Sequence, residues 1–204
     1  MTICSRTLFA SALAVALTCC APAPDACCDG TPAAADPLAD PPPGESLFLL
    51  EHAFTDQAGR DRRLRDFAGH PTLVAMIFTN CAYACPVLVK DVQEVVAKPE
   101  VGDDLHVLLV SMDVARDDPG TLRRFADDHG LAAHRYTLLH GDQDAVDVLA
   151  AVLGVRIAPV ADGGFSHSNR ITLLDEEGVV RHRLDGLGAD AEPLLEAIQR
   201  LSPR

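Results

Sequence analysis

The chain has 204 residues, of which 30 are acidic and 17 basic, for a net charge of −13. That balance argues against a nucleic-acid partner, because phosphate contact needs clustered Lys and Arg; it suits a well-solvated surface or a cationic partner. The length allows one domain of ordinary size plus attachments, at roughly 100 to 200 residues per domain.

Residues 1–20 read as an export signal. Arg6 is the only charge before Asp25, and Leu8 to Leu17 form an apolar run of ten residues, too short for a bilayer core that takes about 20. The end of the segment, Leu17-Thr18-Cys19-Cys20, resembles the lipobox of bacterial lipoproteins with Cys20 as the lipidated residue, although Cys19 stands where a small residue is usual. Lipidation would tether the protein to a membrane in the bacterial periplasm; cleavage near Ala21 or Ala23 would release it there as a soluble protein. Residues 21–46 are rich in Ala, Pro and Asp, include Pro41-Pro42-Pro43 and lack hydrophobic periodicity, so they read as a disordered, semi-extended tether. Cys27 and Cys28 fall inside it and are given no role.

The folded domain is expected over residues 47–204. Leu47 to Leu50 and Phe54 to Arg60 read as a short strand and turn, with a further short element at Leu64 to Phe67. Thr72 to Phe78 is an apolar, β-branched run expected to be a buried strand. A helix follows over Pro86 to Ala97, then a second apolar strand at Leu105 to Ser111 and a helix from Pro119 to His129 closed by Gly130. A strand near Arg135 to Leu139 and a helix from Asp142 to Leu153 come next. Arg170 to Leu174 and Val179 to Leu184 flank Asp175-Glu176-Glu177-Gly178 as a hairpin, and Ala191 to Leu201 is an amphipathic C-terminal helix. Strands alternating with helices predict an α/β fold with a central mixed sheet and helices on both faces.

Two of the seven cysteines, Cys81 and Cys85, sit at the junction of the first buried strand and the helix after it. A helix N-terminus has unpaired N–H groups and a partial positive charge, which favour thiolate over thiol. Pro86 fits the first turn, where its missing N–H is not needed. The spacing is CxxxC rather than the CxxC of thioredoxin-like redox motifs. Such a pair can grip one soft metal ion, exchange electrons as a dithiol and disulfide, or be a structural disulfide. A metal would need a third ligand. Of eight histidines, His52, His70, His129, His134 and His182 fall in turns, helix ends or the hairpin, His106 lies within a strand, and His140 ends one. His167 differs, lying in Gly163-Gly164-Phe165-Ser166-His167-Ser168-Asn169, a loop that leads into the strand Arg170 to Leu174.

The order of these pieces resembles the SCO/SenC family, copper proteins of cytochrome oxidase assembly. The matching residues are Cys81-Ala82-Tyr83-Ala84-Cys85-Pro86, Ser111-Met112-Asp113-Val114-Ala115-Arg116-Asp117-Asp118-Pro119, and Ser166-His167-Ser168 running to Leu173-Leu174-Asp175. The resemblance covers about Leu47 to Leu201 and implies a thioredoxin-like fold. It implies that Cys81, Cys85 and His167 ligate copper, as Cu(I) or Cu(II), and that Asp113 orients a ligand or meets a partner from behind them. Asp113 could equally cap the segment that follows it. The resemblance further implies a metallochaperone that takes copper from a donor chaperone and delivers it to the CuA subunit of an apo cytochrome c oxidase, or to a related copper enzyme. The chain departs from many family members, which carry Pro and Asp between the cysteines where Ala82, Tyr83 and Ala84 stand here, and which often have a transmembrane anchor. The alternative reading is a periplasmic thiol–disulfide oxidoreductase with Cys81 and Cys85 as its redox-active pair. Thioredoxin-type enzymes place a Pro immediately before the strand facing their cysteines; Ser166-His167-Ser168 occupies that place and Pro159 is farther upstream.

Overall fold

The structure, a computed structural model, describes residues 45–159 and 165–201. All described residues belong to one compact unit within residues 35–204. The export signal, Cys20, the tether up to residue 44, Cys27, Cys28 and Gly163-Gly164 lie outside the described residues. Among those described, no helix is long and apolar enough to cross a membrane.

A seven-stranded mixed sheet organises the domain. Its strands are β1 (Phe54–Asp56), β2 (Asp61–Arg62), β3 (Thr72–Ile77), β4 (His106–Ser111), β5 (Tyr136–Gly141), β8 (Arg170–Leu174) and β9 (Val180–Asp185), in the order β2-β1-β5-β4-β3-β8-β9. β3, β4 and β5 are parallel, with Val74 beside Leu108 and Leu108 beside Thr137. Every residue of β3 is buried, as is every residue of β4 after His106, which is why both read as unbroken apolar runs rather than alternating ones. β8 joins β3 antiparallel, and β9 closes the edge as the expected hairpin. The first turn differs from the expectation: Leu47–Leu49 is a 3-10 turn, because Ser46 Oγ accepts from the Phe48 N–H at 3.1 Å and draws the chain into a cap.

The helices are α1 (Ala84–Val96), α2 (Pro119–Asp128), α3 (Gln143–Leu153) and α4 (Glu192–Leu201). The crossovers through α1 and α2 move the same way across the sheet, so right-handed connections put both helices on one face. α4 joins that face: Asp91, Glu94 and Val95 of α1 line one groove with Leu184 of β9 and Leu195 of α4. α3 lies on the other face. The strand alternation that turns Ile171 and Leu173 toward Leu184 and His182 turns Arg170 away, and its Nη1 reaches the Leu153 carbonyl at 2.9 Å, at the C-terminus of α3. Gly154 ends α3 with φ +69°, a backbone conformation that favours glycine, and a Cβ there would have to push aside the same guanidinium.

Asp118 and Asp142 cap α2 and α3, accepting from the Thr121 and Ala145 N–H groups at 2.7 and 2.8 Å. α1 has no such residue, for its N-cap is Tyr83 and makes no side-chain hydrogen bond. Its open N–H groups face the thiols.

Candidate functional site

The segment connecting β3 to α1 leaves the sheet at the C-terminal ends of the parallel strands, where open α/β sheets bind their ligands. Cys81 is half-buried and lies before the helix; Cys85 is buried in the first turn, one residue later than its start. Both are free thiols. The Cys85 N–H donates to Cys81 Sγ at 3.3 Å, so the Cys81 sulfur serves as the acceptor that a capping side chain supplies elsewhere. Cys85 Sγ accepts from the Phe78 N–H at 3.4 Å.

These contacts separate the two thiols chemically. Burial pushes Cys81 up, but the N–H groups of Cys85 and Tyr83, the Cys85 side chain and the Ala84 N–H outweigh it, and the Cys81 thiol lies below its ordinary value. Cys85 goes the other way. Burial pushes it up strongly, the Phe78 N–H opposes this, and the charges of Cys81 and Asp117 add to the rise. Cys81 is the sulfur that ionises first and Cys85 the one that keeps its proton.

His167 is not in a loop, as its Gly- and Ser-flanked sequence suggests. A second, two-stranded sheet pairs β6 (Ile157–Pro159) with β7 (Phe165–His167), with Ile157 opposite His167 and Ala158 opposite Ser166. Three-residue strands without alternating apolar residues give no periodicity to read. The hairpin carries His167 Nε2 to 3.8 Å from Cys85 Sγ. His167 Nδ1 lies 3.1 Å from the Ser168 carbonyl, a partner that can only accept, so the proton sits on Nδ1 and the Nε2 lone pair faces the thiol. Burial holds this imidazole below the usual histidine range against the raising effect of the Ser168 carbonyl. The ring also meets Phe78 edge-on, with centroids 5.9 Å apart. The other histidines have different neighbours: His52 meets Asp144, His70 meets His106, and His129 stacks on Phe125.

Asp113 is buried at the end of β4, where its carboxylate pairs with Arg116 at 2.6 Å and its N–H donates to Ser111 Oγ. Both of these partners are on its own segment. The carboxylate that does reach the thiol loop is Asp117, which sequence reasoning passed over. It is fully buried and accepts from the Thr79 N–H at 2.9 Å, from the Thr79 hydroxyl, and from Ser111 Oγ at 2.6 Å. A signal existed in Asp117-Asp118-Pro119, since one Asp suffices to cap α2 and the other is spare.

Two thiols and one imidazole suit a soft or borderline metal ion. Among the described residues no three His, Cys, Asp or Glu side chains already converge as a metal cage; Cys85 is the shared neighbour of Cys81 and His167, so closing such a set takes a shift of the outer two donors.

The family model described as SCO1/SenC matches residues 41–202. A SCO1 protein homolog of Bacillus subtilis is 24% identical over 138 residues, which are 66% of this chain and 72% of that protein. Among solved structures, a protein of Aquifex aeolicus superposes with a TM-score of 0.68 at 20% identity, over 76% of this chain and 93% of that one. ScoI of Bradyrhizobium japonicum, solved with copper bound, superposes with a TM-score of 0.61 at 23% identity, over 74% and 97% of the two chains. The overlap of the matched span with nearly the whole described domain makes this chain a member of the SCO1/SenC family.

Proposed function

We propose that this protein is a copper metallochaperone that takes up copper through Cys81, Cys85 and His167 and passes it to an apo copper enzyme, the CuA subunit of a respiratory oxidase being the acceptor that family membership favours. The observation that carries the reading is the placement of the His167 Nε2 lone pair 3.8 Å from Cys85 Sγ, beside a Cys81 thiol biased toward thiolate. Thiolates suit Cu(I) and an imidazole adds affinity for Cu(II). The copper-bound state of the ScoI structure supports the same cargo. Loading needs both thiols reduced, since a Cys81–Cys85 disulfide would remove the two sulfur donors. Release proceeds by ligand exchange, the acceptor's thiolates replacing the three donors in turn, with copper supplied upstream by a donor chaperone. An N-terminal lipid on Cys20, with residues 21–46 as tether, would keep the domain, residues 47–204, at a periplasmic membrane surface.

The unequal thiols favour a second reading. An accessible, readily ionised Cys81 and a buried, protonated Cys85 are the arrangement of a thiol–disulfide oxidoreductase, with Cys81 attacking and Cys85 resolving.

Copper binding by the full chain, measured with Cu(I) and Cu(II) separately against the Cys81→Ser/Cys85→Ser double variant as blank, tests the first reading. One tightly held ion beyond the blank, with thiolate-to-copper charge transfer for Cu(II), is expected. Equal binding by chain and blank would leave the oxidoreductase.

A further inference from the structure

Asp117 stands immediately before the α2 cap, where a carboxylate is expected to serve its own helix. It does not, because Asp118 performs that task through the Thr121 N–H. The Asp117 N–H instead donates to the Asp113 carbonyl at 3.0 Å, closing residues 113–117 into one turn that aims the carboxylate across at Thr79. There it is fully buried and takes three donors from two other segments: the N–H and hydroxyl of Thr79 and the hydroxyl of Ser111. None of these bonds belongs to a strand ladder or a helix.

Thr79 is two residues ahead of Cys81. The segment is also held by the Cys81 N–H, which donates to the Phe78 carbonyl at 3.3 Å, and by the Phe78 N–H on Cys85 Sγ. The second of those contacts is made by a sulfur, so it changes with what that sulfur is doing; the first is a backbone bond and does not. The Thr79–Asp117 contact likewise involves no sulfur: it ties the junction ahead of Cys81 to the segment after β4 and stays when a sulfur changes partner.

We infer that Asp117 is the positioning residue of the thiol pair: by anchoring Thr79 to the end of β4 it sets where the Cys81 sulfur stands relative to Cys85. This rests on the reading that Cys81 and Cys85 act as a pair, whether on copper or on each other. Anchored this way, the loop is ordered before either event, and the donors need not be gathered at the cost of affinity.

The test compares full-chain wild type with Asp117→Asn, and with Asp56→Asn as control. Asp56 is likewise a fully buried carboxylate with several donors, in the β1–β2 turn. An Asn side chain keeps the shape but turns an NH2 toward donors, so part of the Thr79–Ser111 anchorage is lost. Two quantities are read: Cu(I) affinity by competition, and the equilibrium constant of the Cys81–Cys85 disulfide against glutathione, with the disulfide located by peptide mapping. Asp117→Asn is expected to weaken Cu(I) binding about tenfold, the lower end of what loss of a supporting partner costs, and to move the glutathione equilibrium, while Asp56→Asn lowers stability and moves neither. Thr79→Val should give an intermediate loss and Thr79→Ser, which keeps both donors, wild-type values; these two decide the matter if Asp117→Asn fails to fold. Unchanged affinity and equilibrium in Asp117→Asn, or equal changes in Asp56→Asn, would overturn the inference. Absence of copper binding in the wild type would instead overturn the chaperone reading, and the glutathione equilibrium alone would then judge Asp117.

Discussion

Cys85 Sγ and His167 Nε2 stand 3.8 Å apart although 82 residues separate them in the chain. The β6–β7 pair brings them together by fixing the imidazole against Phe78, while the Ser168 carbonyl holds the proton on the far ring nitrogen. Replacing His167 with Ala should therefore reduce copper affinity by more than the roughly 10- to 100-fold that loss of an outer partner costs. Disulfide exchange through Cys81 and Cys85 should persist. Unchanged copper binding in this variant, measured by competition with a chelator, would remove His167 from the donor set.

The two thiols should react at different pH. Because the N–H groups at the start of α1 outweigh burial at Cys81, its thiolate forms below the ordinary cysteine range, whereas Cys85 stays protonated above it. Iodoacetamide at neutral pH should label Cys81 well before Cys85, and the Cys81 rate should reach its plateau at a lower pH than that of a free cysteine. Mass mapping of the labelled peptide decides; comparable labelling of Cys85 would contradict the buried-thiol geometry.

Tyr83 separates the cysteines in sequence and is 76% exposed, an unusual setting for an aromatic ring that makes no capping bond. On the chaperone reading, its position two residues after Cys81 puts it where an acceptor would approach. Tyr83→Ala should leave copper affinity within twofold and slow transfer to an apo dinuclear copper domain about tenfold, the order of one exposed aromatic anchor at an interface. Transfer kinetics followed by absorbance would show it; an unchanged rate would take Tyr83 out of the encounter.

Asp56 predicts part of the acid limb of stability. Burial raises its pKa, but the Arg60 N–H, the Arg62 and Arg60 side chains and the Ala58 N–H more than reverse this, so the native value lies below the ordinary 3.8. A depressed carboxylate contributes stability that is complete above the unfolded value and disappears as pH falls through the native one. Asp56→Asn should cost roughly 3 kcal/mol at neutral pH, the scale of breaking a buried ion pair, and the difference from wild type should shrink below pH 3.8. Urea melts at several pH values test this; a constant difference down to strongly acidic pH would rule out the ionised carboxylate.

The proposed anchor has a direct assay. Cys20→Ser should shift the protein from the membrane fraction to the soluble fraction of a producing bacterium and abolish incorporation of labelled fatty acid. A lipid label retained in this variant would point to another residue.

How far the fold could be read varies with the signal each residue carries. β3 and β4 were legible because strands covered on both faces are apolar without interruption, and α2 and α3 because each begins at an Asp cap. β6 and β7 were not, since pairs of three-residue strands hold each other by backbone bonds that any side chain permits. Among the site residues, the thiols were visible from their place before Pro86, and His167 from its place ahead of the strand Arg170 to Leu174 together with the family resemblance. Asp113 attracts notice by its motif and pairs with Arg116, while Asp117, in the same motif, draws no role from the sequence.

The sequence by itself determined the α/β class, the strand-to-helix junction that bears Cys81 and Cys85, and the family, because local periodicity, capping residues and motif order are properties of neighbouring residues. Only the tertiary structure decided that the two thiols are chemically unequal, that His167 faces Cys85 with its free nitrogen, and that the Asp117 carboxylate bonds to Thr79 of the thiol loop. Burial, proton placement and hydrogen-bond direction depend on which distant segments pack together, and no spacing along one chain specifies that.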